Sequence, residues 1–216
     1  MKILIIIVLI ALTFYGSSQV KPTVVIKNAA YTAYIDTTIN MPIYVEYRLY
    51  RGGGSCERAN RWSNDSRYKL VGDDSYSNSG YERGHLANAE DFAYNCYLDS
   101  LTFMYYNRLP QTKSLNRGVW KKQETLIRSL SQKDSLWIIC GGYWDSNVKI
   151  VKGLYIPTRC WKLVYSLTTG KLISGYIYTN DEAAVMYTTS KENLESLIGY
   201  KLILPTVNKK KIKTKK

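Results

Sequence analysis

Runs of apolar residues along the chain predict a β-sheet. Ile43–Arg51 is rich in β-branched and aromatic residues and is stopped by a run of glycines, so it predicts a strand. Ser135–Trp144 is a longer apolar run around two glycines, which is typical of a buried central strand. Further short strands are expected at Thr23–Lys27, Leu154–Pro157, Cys160–Ser166 and Leu172–Tyr178. The last three predict a β-meander.

Helical periodicity is clearest between residues 118 and 130. Within Gly118–Leu130, Trp120, Glu124 and Arg128 recur every four residues, so they share one face of the predicted helix. Asp91–Asn107 also has helical character. Because these helices fall between the predicted strands, the pattern predicts an α+β fold with a central antiparallel sheet and inserted helices.

A short helix is expected near the end of the chain, over Ser190–Leu197. Thr189 stands just before it, and Glu192 follows three residues later, which is the spacing of a capping box. The chain has 216 residues, which is enough for one domain with a hydrophobic core of its own.

Both ends of the chain differ in composition from the middle. Lys2 precedes an apolar stretch and then small residues, so residues 1–19 are predicted to be a signal peptide for secretion or export to the periplasm. An uncleaved N-terminal anchor is the alternative, although the stretch is short for a membrane span. Residues 206–216 are rich in lysine and predict a disordered basic tail. Residues 20–205 then form the predicted domain, without membrane insertion after signal removal.

The composition is unusual in its charge and its tyrosine content. The formal net charge is +13, and there are 20 Tyr but only 3 Phe. A basic surface attracts polyanions such as nucleic acids, anionic lipids or acidic glycans. Tyrosine can stack on nucleic-acid bases, although half-exposed positions of a β-sheet account for much of it. The composition therefore favours a polyanionic partner.

Four cysteines allow three complete pairings. None belongs to a Cys-x-x-Cys pair, so a zinc site built from thiolates is poorly supported. Cys140 ends one apolar run and Cys160 begins another, so neighbouring strands could bring them together, and we expect a Cys140–Cys160 disulfide. The alternative is that they are buried free thiols.

The sequence has one histidine, His85. Arg83 lies two residues before it, so both side chains point to the same face of an extended segment, and Gly84 between them permits close approach to the backbone. A cation beside a titratable imidazole suits acid–base chemistry on an anionic substrate. Taken alone, a structural histidine and a solvated arginine are the more common situation.

Amide and carboxylate side chains follow downstream at Asn107, Asn116 and Glu124, with Arg128 beyond them. Their oxygens are hard ligands that suit Mg²⁺, an ion that keeps several of its own waters. Singly, such asparagines are more often turn or cap residues, and a Glu–Arg pair four residues apart is more often a solvated helix pair.

Taken in order, these residues resemble the motifs of the DNA/RNA non-specific endonucleases, a family of the ββα-metal class. The family signature normally reads Asp-Arg-Gly-His, and here Glu82 stands in place of the Asp. The segments that match later family motifs are Tyr106–Gln111, Asn116–Trp120, Glu124 with Arg128, Ile156–Lys162 and Leu194–Gly199. The Arg-Gly-His core alone is weak, whereas the ordered set, from about Tyr44 to Tyr200, is specific.

The resemblance implies a ββα-metal catalytic motif and hydrolysis of DNA and RNA with Mg²⁺, or another hard divalent cation such as Mn²⁺, as cofactor. His85 would deprotonate the attacking water, Asn116 would hold the cation, and Glu124 would orient one of its waters. Products would carry 5′-phosphate and 3′-hydroxyl ends. The other implied roles are phosphate binding by Arg83, Arg128 and Arg61, with Arg58 as the alternative to Arg61, and positioning of His85 or substrate by Asn107.

Two other functions account for parts of the sequence. A non-catalytic polyanion-binding protein on the same fold would explain the charge and the lysine-rich tail, but it would give the grouping of His85, Arg83 and Asn116 no role. A secreted structural or adhesive protein would explain the tyrosine content alone. Nucleic-acid binding without cleavage in Mg²⁺ would identify the first, and absence of nucleic-acid affinity would identify the second.

Overall fold

The computed structural model of the chain describes residues 20–65, 68 and 70–205. The predicted signal peptide, residues 1–19, and the predicted basic tail, residues 206–216, lie outside the described residues. In chain order the elements are β1 (Val24–Lys27), β2 (Thr32–Asp36), β3 (Met41–Leu49), α1 (Asp73–Tyr76), β4 (Glu82–His85), α2 (Cys96–Leu101), β5 (Arg108–Gln111), α3 (Lys121–Ser131), β6 (Leu136–Tyr143), β7 (Lys149–Val151), β8 (Leu154–Ile156), β9 (Arg159–Ser166), β10 (Leu172–Thr179), β11 (Met186–Thr188) and α4 (Lys191–Ile198).

Seven strands form one antiparallel sheet in the order β1-β2-β3-β6-β9-β10-β11. β6 lies in the middle of it, with Cys140 opposite Val45 of β3 on one side and Lys162 of β9 on the other. Almost all of β6 is buried, and each large apolar side chain removed from water contributes about 1.5–3 kcal/mol. The predicted α+β fold with a central antiparallel sheet is therefore confirmed.

The predicted strand at Leu154–Pro157 forms as β8, but it does not join the meander. It pairs with β7 in a separate two-stranded ribbon. The meander consists instead of β9, β10 and the short edge strand β11, which the sequence pattern did not predict.

A second ribbon carries the family motif. β4 and β5 pair antiparallel, with His85 opposite Arg108, and the chain then enters a π-helical segment, Leu115–Trp120, that continues into α3. The ribbon is fixed to its surroundings by a hydrogen bond from the Trp120 indole to the His85 carbonyl (3.2 Å) and by one from the Cys140 thiol to the Leu86 carbonyl (3.1 Å). The order strand, strand, helix is the expected ββα unit, and it sits against the central strand β6.

The predicted helix over Asp91–Asn107 is interrupted. It consists of a 3₁₀ turn at Ala89–Phe92, the α-helix α2 and a second 3₁₀ turn at Tyr105–Asn107. The Asn95 side chain accepts hydrogen bonds from the backbone of Tyr97 and Leu98, so it ends the first segment and starts α2. In the part of the chain that the structure describes, no helix is long and apolar enough to span a bilayer.

The other two predicted helices form with shifted starts. α3 begins at Lys121 because Gly118 adopts a non-helical backbone conformation, with φ −95° and ψ −112°. At α4 the capping residue is Ser190 rather than Thr189, since the Ser190 side chain accepts the hydrogen bond from Asn193 N. The predicted capping box was therefore wrong by one residue.

The expected Cys140–Cys160 disulfide was wrong. Both thiols are free and buried, whereas Cys56 and Cys96 form a disulfide with their Cα atoms 5.3 Å apart. In the register of β6 and β9, Cys140 is opposite Lys162 and only diagonal to Cys160, so strand adjacency did not bring the two thiols face to face. The observed disulfide ties the loop after β3 to α2.

Candidate active site

A cavity of about 480 Å³ is bounded by β4, by α3 with the segment before it, and by the loop after β3. Among the described residues, five basic and two acidic side chains line it, so it suits an anionic ligand. The structure brings most of the predicted site residues together here: His85, Arg83, Asn116, Glu124 and Arg128.

His85, the last residue of β4, forms part of the cavity floor. It is 7% exposed, and its ring packs against Trp62 and Phe103 at centroid distances of 4.5 and 4.8 Å. Burial, together with the nearby charges of Arg58 and Arg108, lowers the pKa of His85 to about 3. The imidazole is therefore neutral at neutral pH and able to accept a proton.

Arg108 is a buried cation that the sequence analysis did not single out. Its guanidinium lies over the rings of Tyr105, Tyr76 and Trp62, at 3.8, 4.5 and 5.1 Å from their centroids. It also binds Asp73 and donates to the Val71 carbonyl at 2.9 Å. The three rings come from separate segments of the chain, so the signal available in the sequence was the place of Arg108 directly after Asn107 in the Tyr106–Gln111 motif.

Asn107 lies beneath the cavity rather than on its surface. Its side-chain oxygen accepts from Ala87 N at 2.8 Å, and its nitrogen donates to the carbonyls of Ala87 and Thr102 at 2.8 Å each. The amide is fully buried, so these hydrogen bonds fix the backbone that leaves His85. This geometry is that of a positioning residue without contact to substrate.

Arg83 and Arg128 both line the cavity, and each forms an ion pair with a different aspartate. Arg83 Nε lies 2.8 Å from Asp73 Oδ1, and Arg128 Nε lies 3.0 Å from Asp91 Oδ1. Asp91 also accepts from the Tyr47 hydroxyl at 2.9 Å. Burial raises the pKa of Asp91 to about 6, although the charge of Arg128 acts to lower it. Arg128 thus pairs with Asp91 rather than with Glu124 four residues earlier.

Glu82, the first residue of β4, contacts the turn that carries Asn116. Its carboxylate accepts from Asn116 Nδ2 at 2.9 Å and forms an ion pair with Arg117. Partial burial acts to raise the pKa of Glu82, but the hydrogen bonds from Arg117 and Asn116 outweigh it and hold the pKa below its ordinary value. Glu82 is therefore ionised at neutral pH.

The donor atoms around Asn116 fit a hydrated hard cation. The described residues contain no group of three His, Cys, Asp or Glu side chains placed to hold a metal ion. Because the nitrogen of the Asn116 amide is committed to Glu82, its oxygen is left to bind a cation, and the buried Glu124 carboxylate lines the same cavity. A site with few protein ligands suits Mg²⁺, which retains several waters.

Of the two arginines considered for the loop after β3, the structure places Arg58 at the cavity. Its guanidinium lies 5.1 Å from the Phe103 ring centroid and 3.8 Å from Glu90, whereas Arg61 is exposed and lies outside the cavity lining. The Cys56 disulfide fixes the start of this loop, and a hydrogen bond from Ala59 N to Asp99 (3.1 Å) fixes its middle.

Comparison with known proteins identifies the family and the fold. The model of the DNA/RNA non-specific endonucleases matches residues 12–209. The chain belongs to the DNA/RNA non-specific endonuclease family. Its fold is similar to that in the crystal structure of an EndoG/EndoGI complex, with a TM-score of 0.71 at 20% sequence identity, over 81% of this chain and 83% of that chain.

Curated relatives include nucleases from distant organisms. A nuclease of Nostoc sp. is 31% identical over 140 residues, which cover 58% of this chain and 51% of the relative. Mitochondrial endonuclease G of Bos taurus is 31% identical over 133 residues, with 59% and 43% covered. Human mitochondrial nuclease EXOG is 30% identical over 147 residues, with 57% and 40% covered. The aligned part of the chain spans about half the length of these relatives, or less.

Replacing Asn107 with Ala is expected to lower the free energy of unfolding by about 2–4 kcal/mol, because it leaves buried backbone groups of Ala87 and Thr102 without partners. Urea denaturation measures the change. Asn193→Ala, at an exposed position of α4, is the matched control and should change it by less than about 0.5 kcal/mol. Equal stability of the two variants would contradict the assignment.

The low pKa of His85 predicts that its imidazole does not titrate in the folded protein between about pH 5 and pH 8. The measurement is the proton NMR shift of the ring Cε1–H, which is unambiguous because the sequence has one histidine. In urea, the same resonance should titrate near about 6.5, the value for an unperturbed imidazole. A folded-state midpoint near that value would show that the ring is solvated.

Proposed function

We propose that the protein is an exported endonuclease that hydrolyses the phosphodiester bonds of DNA and RNA, with a divalent cation as cofactor and His85 as general base. The observation that carries the proposal is that the neutral imidazole of His85 and the amide of Asn116 line one basic cavity. Membership of the DNA/RNA non-specific endonuclease family supports the same reaction class.

In this proposal His85 takes a proton from the water that attacks phosphorus. Its low pKa ensures the unprotonated form at neutral pH. Arg58 and Arg108 contribute to that low pKa, and the negative charge of a bound phosphodiester opposes their effect. The imidazole therefore becomes a stronger base when substrate is present, which is when a proton has to be removed.

The basic side chains of the cavity would bind the substrate through its phosphates. Arg83 and Arg128 are held by Asp73 and Asp91, so their guanidinium groups are oriented before substrate arrives. Arg58, on the disulfide-anchored loop, adds a third cation. Contacts to phosphate carry no sequence information, so binding through them predicts cleavage of both DNA and RNA without sequence preference.

Asn116 would hold the cation, Mg²⁺ or Mn²⁺, through its side-chain oxygen, and Glu124 would accept hydrogen bonds from the waters of that cation. When bound, such an ion stabilises negative charge on the phosphate and on the leaving 3′-oxygen. Cleavage on that side leaves 5′-phosphate and 3′-hydroxyl ends.

Export is part of the proposal. Residues 1–19 have the composition of a signal peptide, and the mature protein would then be secreted or periplasmic without insertion in a membrane. The Cys56–Cys96 disulfide supports this location, since such bonds persist in oxidising compartments and are rare in the cytosol.

The proposed reaction is tested by digestion of plasmid DNA and of RNA with the purified protein in Mg²⁺, in Mn²⁺ and in EDTA. Both substrates should be cut only with a divalent cation, and His85→Ala should lower the rate by a factor on the order of 10²–10⁴, the usual contribution of a general base. Binding without cleavage would establish the non-catalytic alternative. Full activity of His85→Ala would exclude His85 as the base.

Arg58→Ala and Arg61→Ala form a matched pair, because each removes one positive charge from the same loop and Arg58 alone of the two lines the cavity. Arg58→Ala should raise KM for DNA on the order of tenfold, as expected for one lost contact to a charged group. Arg61→Ala should change KM by less than about twofold. Equal effects of the two variants would mean that the loop acts through its net charge.

A further inference from the structure

Glu82 is placed to control how Asn116 faces the cavity. It is the first residue of β4 and pairs with Gln111, the last residue of β5. The segment that carries Asn116 follows β5 in the chain. One carboxylate oxygen of Glu82 accepts from Asn116 Nδ2 at 2.9 Å, and the other accepts from Arg117 at 2.5 Å. A backbone hydrogen bond from Asn116 N to the Thr112 carbonyl (2.9 Å) fixes the same turn.

The hydrogen bond with Glu82 determines the orientation of the Asn116 amide. An asparagine side chain has a donor nitrogen and an acceptor oxygen of almost the same shape, so a free amide populates both orientations. An ionised carboxylate can only accept. The amide nitrogen of Asn116 must therefore face Glu82, and its oxygen, the atom that can bind a cation, is left free for one.

Arg117 completes the arrangement. It occupies the second oxygen of Glu82 and balances its charge, so the carboxylate has less tendency to leave Asn116 and bind a cation itself. Glu82 is not among the residues that line the cavity, whereas Asn116 and Arg117 are. The carboxylate thus stands behind the amide rather than beside it.

We propose that Glu82 is a positioning residue for the divalent cation, acting by holding the Asn116 amide with its oxygen toward the cavity. This inference rests on the proposed function for the identity of the ligand. The signature that this segment resembles normally has Asp at this position, and one methylene less would shorten the reach by about 1.5 Å. In this chain the longer side chain contacts two consecutive residues of the turn at once.

The test is Mn²⁺ binding to the full chain without nucleic acid, measured from the electron paramagnetic resonance signal of free Mn²⁺. Glu82→Ala should weaken binding ~10- to 100-fold, as the loss of a group that orients a metal ligand usually does. Glu82→Asp should lie between Glu82→Ala and the natural protein. Asn116→Ala should bind most weakly. Glu57→Gln, which removes one negative charge at an exposed position outside the cavity lining, should bind as the natural protein does.

A second readout separates positioning from a direct catalytic role. In Glu82→Gln, the Mg²⁺ concentration for half-maximal cleavage should rise, while the rate at saturating Mg²⁺ stays within a few-fold of that of the natural protein. Circular dichroism and the melting temperature establish that each variant is folded. A folded Glu82→Ala with unchanged Mn²⁺ affinity overturns the inference, and so does a rate loss that saturating Mg²⁺ does not restore.

Failure of the inference and failure of the proposed function give different results. If the natural protein binds Mn²⁺ and the Asn116 and Glu82 variants weaken that binding as expected, but the protein cuts no nucleic acid, the inference holds and the nuclease proposal fails. If it cuts DNA in Mg²⁺ and the Glu82 variants bind Mn²⁺ normally, the nuclease proposal holds and the inference fails. A natural protein that binds no Mn²⁺ overturns the inference.

Discussion

The site depends on one constraint: the β4–β5 ribbon carries charged and polar side chains into a place from which the sheet and the surrounding aromatic rings exclude water. Arg108 and Asn107 are almost wholly buried, and His85 is nearly so. Burying such groups costs several kcal/mol each unless partners replace the lost water. The Asn107 amide forms hydrogen bonds with backbone groups. The Arg108 guanidinium contacts a carboxylate, a carbonyl and three aromatic rings, and the His85 imidazole is uncharged. The chemistry of the cavity follows from these three ways of compensating for the lost contacts with water.

Three acids near the site, Asp73, Asp91 and Glu82, share a second property, which is that they stand behind the basic groups they hold. None of them lines the cavity, whereas three of their arginine partners do. The pairs are Asp73 with Arg83 and Arg108, Asp91 with Arg128, and Glu82 with Arg117. The guanidinium groups of Arg83, Arg117 and Arg128 are therefore fixed before an anion arrives and still present charge to it, which is the condition for electrostatic stabilisation without reorganisation. The apolar core of the sheet supplies the stability that offsets the free-energy cost of burying these charged groups.

Periodicity was sufficient to predict the central strands of the sheet and α3, whereas the grouping of His85 with Asn116 came from the ordered motifs that resemble the family. It did not predict the partners of the buried charges. Asp91 lies 37 residues from Arg128, and the rings around Arg108 come from three separate segments. The expected Cys140–Cys160 disulfide was wrong for a related reason: adjacency of two strands does not give their register, and register placed Cys140 opposite Lys162. Contacts between residues that are far apart in the chain could not be predicted from the single sequence.

Burial also sets how the site responds to acid, because the pKa values of His85 and of Asp91, the partner of Arg128, shift in opposite directions. The pKa of His85 falls from 6.5 to about 3, so between these values the unfolded chain binds a proton that the folded protein does not, and acid destabilises the fold. The pKa of Asp91 rises from 3.8 to about 6, so in that window the folded protein binds the extra proton and acid stabilises it. Between about pH 4 and pH 6 the two contributions oppose each other. On acidification Asp91 is protonated while His85 stays neutral, so the ion pair that holds Arg128 weakens before the base is lost.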